Sequence, residues 1–186
     1  MSTQFDEKEK KYIEEKAQCF LKDSKYSGEE PVNIIKLAQN IGFTVGNAAL
    51  ISDSDGFIVV KDNYTPLYGV PTNKLIGVNS QRTIEWKKFI IAHEIGHYYL
   101  SDVNKGNALF AHREHRKGKD KAENAADYFA SNVIMPKETF EKEFESLKDN
   151  NLDMADKVAI LASRFKVTEE MAKRRIEELE LWNNGN

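Results

Sequence analysis

The sequence predicts an α+β fold, mostly helical, with a short sheet of about three strands and a C-terminal pair of helices. Three observations carry that expectation. Apolar residues recur at helical spacing over residues 5–22, 81–100, 121–135 and 152–182. Between residues 43 and 78 the pattern changes to short runs of β-branched and aromatic residues broken by turn signals. The chain has 186 residues, 40% hydrophobic and 31% charged, which is long enough to bury a core without covalent staples.

The elements follow in order. Residues 5–22 place Ile13, Ala17, Phe20 and Leu21 on one stripe among many Lys and Glu, so the charge run Asp6–Lys11 is a solvated face. After a polar linker containing Gly28, Pro31 suits the first turn of a second helix with Ile34, Ile35, Leu37 and Ala38 facing inward, ended by Gly42. Strands are expected at Phe43–Val45, Gly56–Val60 and Leu75–Val78, with turns at 53–56, 62–63 and 71–73. A helix from about Gln81 to Leu100 carries the stripe Phe89, Ile90, His93, His97 and Leu100. Residues 101–120 read as a polar loop. A helix from Lys121 to Met135 stops at Pro136. Residues 141–151 are charged, helical or irregular, and Leu152–Trp182 reads as two helices joined at Lys166–Thr168, with Trp182 in the core.

Charge and cysteine usage bound the setting. The formal net charge of −3 gives no general attraction for nucleic acid. The single Cys19 cannot form an internal disulfide, so a cytoplasmic, reducing location is expected, with Cys19 as a small buried hydrophobe. The opening MSTQFDEKEKKYIEEK has no apolar stretch of the kind a secretory signal needs, and no run approaches a membrane span.

The chemistry concentrates in His93-Glu94-Ile95-Gly96-His97. Two histidines four residues apart on a helix lie one turn apart on one face and can reach one metal ion. Glu94 points about 100° round the helix from His93. It can contact a water at the metal without filling a coordination position, which is the placement of a general base beside a Lewis acid. A bare five-residue match is equally compatible with two satisfied core histidines and a paired glutamate.

A third ligand shifts the balance. A catalytic zinc takes three protein ligands and keeps one position open. One solution uses a histidine six residues after the second, but that position is Val103. The other uses a glutamate on a separate helix with a carboxylate one turn on, and Glu123-Asn-Ala-Ala-Asp127 fits it. Glu123 would bind the metal, and Asp127 would accept the spare N–H of a ligand imidazole. Asp120-Lys-Ala-Glu123 also reads as a capping box, in which Glu123 folds back on its own helix. His112 and His115 lie in a segment where residues 113–121 hold five basic residues against two acidic ones. They read either as a solvated loop or as a rim that contacts substrate or stabilises an oxyanion.

The blocks Phe89-Ile-Ile-Ala-His-Glu-Ile-Gly-His97 and Glu123-Asn-Ala-Ala-Asp-Tyr-Phe-Ala-Ser-Asn-Val-Ile-Met-Pro136 resemble the ImmA/IrrE family of bacterial metallopeptidases. The segments Ile76–Asn79 and Leu161–Thr168 share the likeness, which extends over roughly residues 30–182. The resemblance implies a small zincin-like catalytic domain over residues 1–150 and a helical segment over 151–186 packed on it. It implies a Zn²⁺-dependent endopeptidase whose protein substrate is a helix-turn-helix repressor, cleaved to derepress mobile-element, phage or stress genes. Two departures stand out: the family often has Asn at Asp127 and an acid at Ala125.

An extended substrate is expected to pair with a sheet edge near Ile76–Asn79. A reading of another class makes the C-terminal helices a helix-turn-helix on a protease-like scaffold, with Lys173, Arg174 and Arg175 facing DNA. The glutamates at 169, 170, 177, 178 and 180 oppose it, so direct nucleic-acid binding is not expected. A closed structural zinc site is the third reading, and it leaves Glu94 without a purpose.

Overall fold

In the computed structural model the described residues are 5–28, 31–50, 54–61, 66–67, 69–101, 109–114, 121–148 and 152–183. They form seven α-helices, a four-stranded sheet and a two-stranded ribbon. Helix α1 (Glu7–Asp23) starts at a capping box in which Asp6 accepts from the Glu9 amide and Glu9 reaches back to the Asp6 amide. Its inward stripe is Ile13, Ala17, Phe20 and Leu21, as the periodicity requires. Cys19 lies off that stripe and is exposed, so it is no core residue. Helix α2 (Ile34–Asn40) is capped by Asn33, which places Pro31 ahead of the helix rather than in its first turn. Ile34, Leu37 and Ala38 are buried, whereas Ile35 points outward.

The sheet runs β1 (Thr44–Ala48), β5 (Lys74–Asn79), β2 (Ser54–Val60), β6 (Leu109–Glu114), in that spatial order. The ribbon pairs β3 (Pro66–Leu67) with β4 (Val70–Pro71). The three expected strands are present, and β6 adds a fourth inside the supposed loop 101–120. Strand β1 joins β5 in parallel, while β2 is antiparallel to both β5 and β6. Leu75 to Asn79 are buried throughout because β5 is interior, flanked by β1 and β2. The segment Ile76–Asn79 is therefore no edge, and the substrate pairing expected there is excluded by hydrogen bonds already made on both sides. Among the described residues the edges are β1 and β6.

Helix α3 (Ile84–Leu100) begins at Thr83, whose side chain accepts from the Trp86 amide. It is buried all round from Lys88 to Gly96, held between the sheet and other helices. Helix α4 (Lys121–Ile134) lies against it, followed by α5 (Lys137–Glu145) after Pro136. The C-terminal pair is α6 (Met154–Phe165) and α7 (Glu169–Glu178), closed by a 3₁₀ turn at Leu181–Asn183. Lys166 caps α6 in the left-handed conformation (φ 51°), and Thr168 caps α7.

One core cluster contains Val158, Leu161, Phe165 and Ile176 from this pair together with Ile90, Ile95 and Phe129 from α3 and α4. Lys88 of α3 donates to the Phe165 carbonyl at 2.6 Å. Arg175 is fully buried, donating to the Met135 carbonyl at 3.1 Å and to Asn132 Oδ1 at 2.9 Å, with Glu178 at 3.3 Å. Trp182, expected in the core, is 40% exposed, and its neighbour Leu181 fills the core instead. Among the described residues no helix is long and apolar enough to cross a membrane.

Candidate metal centre

Two glycines set the distances between the elements that carry the site. A Cβ at Gly96 would lie 3.1 Å from Phe129 Cδ1 and 3.2 Å from the Ala126 backbone, so glycine lets α4 approach α3 closely there. A Cβ at Gly56 of β2 would lie 2.5 Å from Ile90 Cγ2 and 3.5 Å from Glu94 Oε1. Strand β2 thus packs directly on the helical face that carries Glu94, and Glu94 is fully buried.

The α3–α4 approach brings His93, His97 and Glu123 together. The two imidazole Nε2 atoms are 3.0 Å apart. Glu123 Oε2 lies 3.3 Å from His93 Nε2, and Glu123 Oε1 lies 3.3 Å from His97 Nε2. Ligand atoms bound at about 2.0–2.1 Å in tetrahedral geometry stand roughly 3.3 Å from one another. The three side chains therefore fit the vertices of a tetrahedral site with one vertex left open, and they could hold a metal ion. Both Glu123 oxygens face the imidazoles; Asp120, the other half of the alternative capping box, lies outside the described residues.

Asp127 sits one turn beyond Glu123 and is almost fully buried. Its Oδ1 accepts the Nδ1–H of His93 at 2.8 Å, which turns the His93 Nε2 lone pair toward the cluster. Asp at this position does the accepting that an Asn would do, and adds charge. Burial, the largest influence on His93, pulls its pKa down. Hydrogen bonds to Asp127 and Glu123 and the nearby charges of Glu94 and Asp127 outweigh burial and leave the pKa above its ordinary value. Glu123 is held well below the usual carboxylate range by its hydrogen bonds to His93 and His97, against partial burial.

Arg174 of α7 comes to 4.0 Å from Asp127 Oδ2 while its Nε lies 3.1 Å from Glu178. Nothing in the sequence signals that approach, since it depends on how α7 docks. His112 falls on β6, opposite Phe57 in register, so it belongs to an edge strand rather than a loop. His115 lies outside the described residues.

Residues 50–177 match the family described as IrrE N-terminal-like domain, a peptidase family. Among solved structures, a Mycobacterium tuberculosis transcriptional regulator matches at 14% identity and a TM-score of 0.49. That match covers 94% of this chain and 48% of the regulator, so the chain spans about half its length. No curated protein matches the chain.

Proposed function

The chain belongs to the IrrE N-terminal-like peptidase family, and on that premise we propose that it is a zinc-dependent endopeptidase that cleaves a helix-turn-helix repressor. The observation that carries the reading is the near-tetrahedral spacing of His93 Nε2, His97 Nε2 and the Glu123 carboxylate, with Asp127 behind His93. Two neutral imidazoles and one carboxylate form a donor set that suits zinc. A zinc ion there would polarise the scissile carbonyl and make a water acidic enough to attack near neutral pH.

The chain's own residues divide the remaining work. Asp127 fixes the His93 tautomer and ring orientation. Glu94, one residue along α3 and buried beneath Gly56, takes a proton from the attacking water and returns it to the leaving amine. An extended substrate has β6 as its backbone partner, because among the described residues β6 is the sheet edge next to β2, the strand packed on the Glu94 face of α3. His112 belongs to that strand and is the residue proposed to contact such a substrate. The location in the cell follows from that of a cytoplasmic repressor. Helices α6 and α7 serve on this reading to buttress α4. Burial of Arg175 removes one of the three basic residues on which the DNA-binding reading rests, and Arg174 is already paired with Glu178.

The test is co-incubation of the zinc-loaded protein with helix-turn-helix proteins of its own genome, beside Glu94→Gln loaded with the same metal. Cleavage of one repressor by the first alone is expected. Equal cleavage by both would remove Glu94 from the mechanism, and cleavage of none would remove the substrate class.

A further inference from the structure

Helix α1 lies outside the matched residues 50–177, yet it shares a pocket with His97 of the metal cluster. A pocket of about 750 Å³ opens between α1, the end of α3 and the start of α4, and His97 forms part of its wall. Most of the exposed wall is apolar, from Phe5, Tyr12 and Ile13 on the N-terminal side, Leu100 of α3, and Ala122 and Ala125 of α4; Asp6, Lys8, Glu9, Ser101 and Lys121 complete the lining. Two contacts fix the walls relative to one another. Glu9 of α1 pairs with Lys121 of α4, and the Tyr128 hydroxyl donates to Glu14 at 2.5 Å. The pocket is preformed, since both clasps tie α1 to the helix that carries Glu123.

We propose that this pocket is the specificity pocket of the peptidase, taking one large unbranched or γ-branched apolar side chain of the substrate next to the scissile bond, with α1 as its outer wall. The inference rests on the zinc-peptidase reading and adds the substrate residue. Three features select that occupant. His97 belongs both to the metal cluster and to the pocket wall, so a peptide reaching the metal has the pocket beside it. Ala122 and Ala125, where larger residues would fill the space, leave room on the α4 side. The lining offers no buried charge to hold a basic or acidic side chain: Asp6, Lys8 and Lys121 are exposed and Glu9 half-buried, and these two acids and two bases balance, with Glu9 and Lys121 paired. Apolar lining with few polar groups is the usual make-up of a site that selects by shape and hydrophobicity.

The experiment uses the zinc-loaded full chain and three hydroxamates. Acetohydroxamate serves as a metal anchor alone. Two short peptide hydroxamates differ only in one side chain, methyl or isobutyl. The unmodified chain is expected to bind the isobutyl compound at least about tenfold more tightly than the methyl one, because three further carbons leave water. Ala122→Phe, at an exposed position facing the pocket, is expected to cut that preference below about threefold. Tyr12→Ala, which removes part of the α1 wall, is expected to lower it at least about threefold and covers the case in which the first variant misfolds. Acetohydroxamate affinity should stay unchanged in both. Binding of the two peptide hydroxamates within about twofold by the unmodified chain overturns the pocket while leaving the peptidase reading intact, as does a preference that survives both substitutions. Failure of acetohydroxamate to bind at all overturns the peptidase reading and the pocket with it.

Discussion

Asp127 accepts the Nδ1 proton of His93 at 2.8 Å, in a position where both groups are withdrawn from solvent. That contact decides which imidazole nitrogen faces Glu123 and His97. Replacing Asp127 by Ala removes the acceptor and lets the ring turn, so zinc affinity is expected to fall about 10–100-fold. Asp127→Asn keeps an acceptor and should lose less. Competition with a chromogenic chelator measures both, and an Ala variant with unchanged affinity would show that His93 is oriented by something else.

Glu94 makes a contrasting prediction. It adjoins the cluster along α3 but supplies none of the three converging ligand atoms. Glu94→Gln is isosteric in the tight space beneath Gly56. It should retain about one zinc per chain and lose roughly 10²–10⁴-fold in cleavage rate. Zinc analysis of the purified variant beside a cleavage assay separates the two effects. Loss of the metal in this variant would make Glu94 a ligand.

Much of this site was legible in the sequence because its signals are local. His93 and His97 share a helical face by spacing alone, and Asp127 follows Glu123 by one turn. The glutamate's choice between metal and helix cap was not legible, since it turns on how closely α3 and α4 pack. The helices other than α5 are legible to within a few residues because their apolar stripes are strong, whereas α5 (Lys137–Glu145) begins where the sequence offers only a charged stretch after Pro136. Strand β6 was missed because Leu109-Phe-Ala-His-Arg-Glu114 carries two large apolar residues in a charged stretch, and its pairing with β2 is long-range. Ile35 and Trp182 were misplaced for the converse reason: an apolar side chain says nothing about which of two adjacent positions faces the core.

The pH dependence follows from two opposite shifts. Glu123 is depressed, so in the metal-free protein its contribution to stability is present above the ordinary carboxylate value and lost as pH falls through its lowered folded value. His93 is raised, so its contribution is fully present below its ordinary 6.5 and lost as pH rises through the raised value. The metal-free protein should therefore melt at a higher temperature near pH 5.5 than near pH 8. Zinc binding requires a neutral His93 and should strengthen over the same interval. Melting curves with and without zinc across that range test both signs. A metal-free protein that grows more stable from pH 5.5 to 8 would contradict the assigned shift of His93.

Gly96 has no part in the chemistry but fixes the spacing on which the cluster depends. A methyl group at Gly96 would meet Phe129 and Ala126 at 3.1–3.2 Å and push α4 outward. Gly96→Ala gains helix propensity, about 1 kcal/mol, against an overpacking cost of about 1–3 kcal/mol. The net stability change should be small or unfavourable, while zinc affinity falls because Glu123 moves with α4. A chelator titration showing unchanged affinity would mean that Glu123 adjusts independently of its helix.

Arg175 tests the role of the C-terminal helices. Its guanidinium is fully buried and satisfies Met135 O, Asn132 Oδ1 and Glu178, and Glu178 also accepts from Ser131 Oγ at 2.9 Å. Removing the cation takes one of two arginines from Glu178, whose side chain is only 6% exposed, and takes the buried donor from the Met135 carbonyl and Asn132 Oδ1. Arg175→Ala should therefore destabilise the protein by about 3–5 kcal/mol. Lysine cannot replace it, because one ammonium does not span three acceptors held by different elements. The joint variant Arg175→Met with Glu178→Leu removes both charges and is expected to recover much of the loss. Denaturant midpoints measure the set. If Arg175 instead faced a phosphate backbone, its removal would leave stability unchanged and weaken salt-dependent DNA binding.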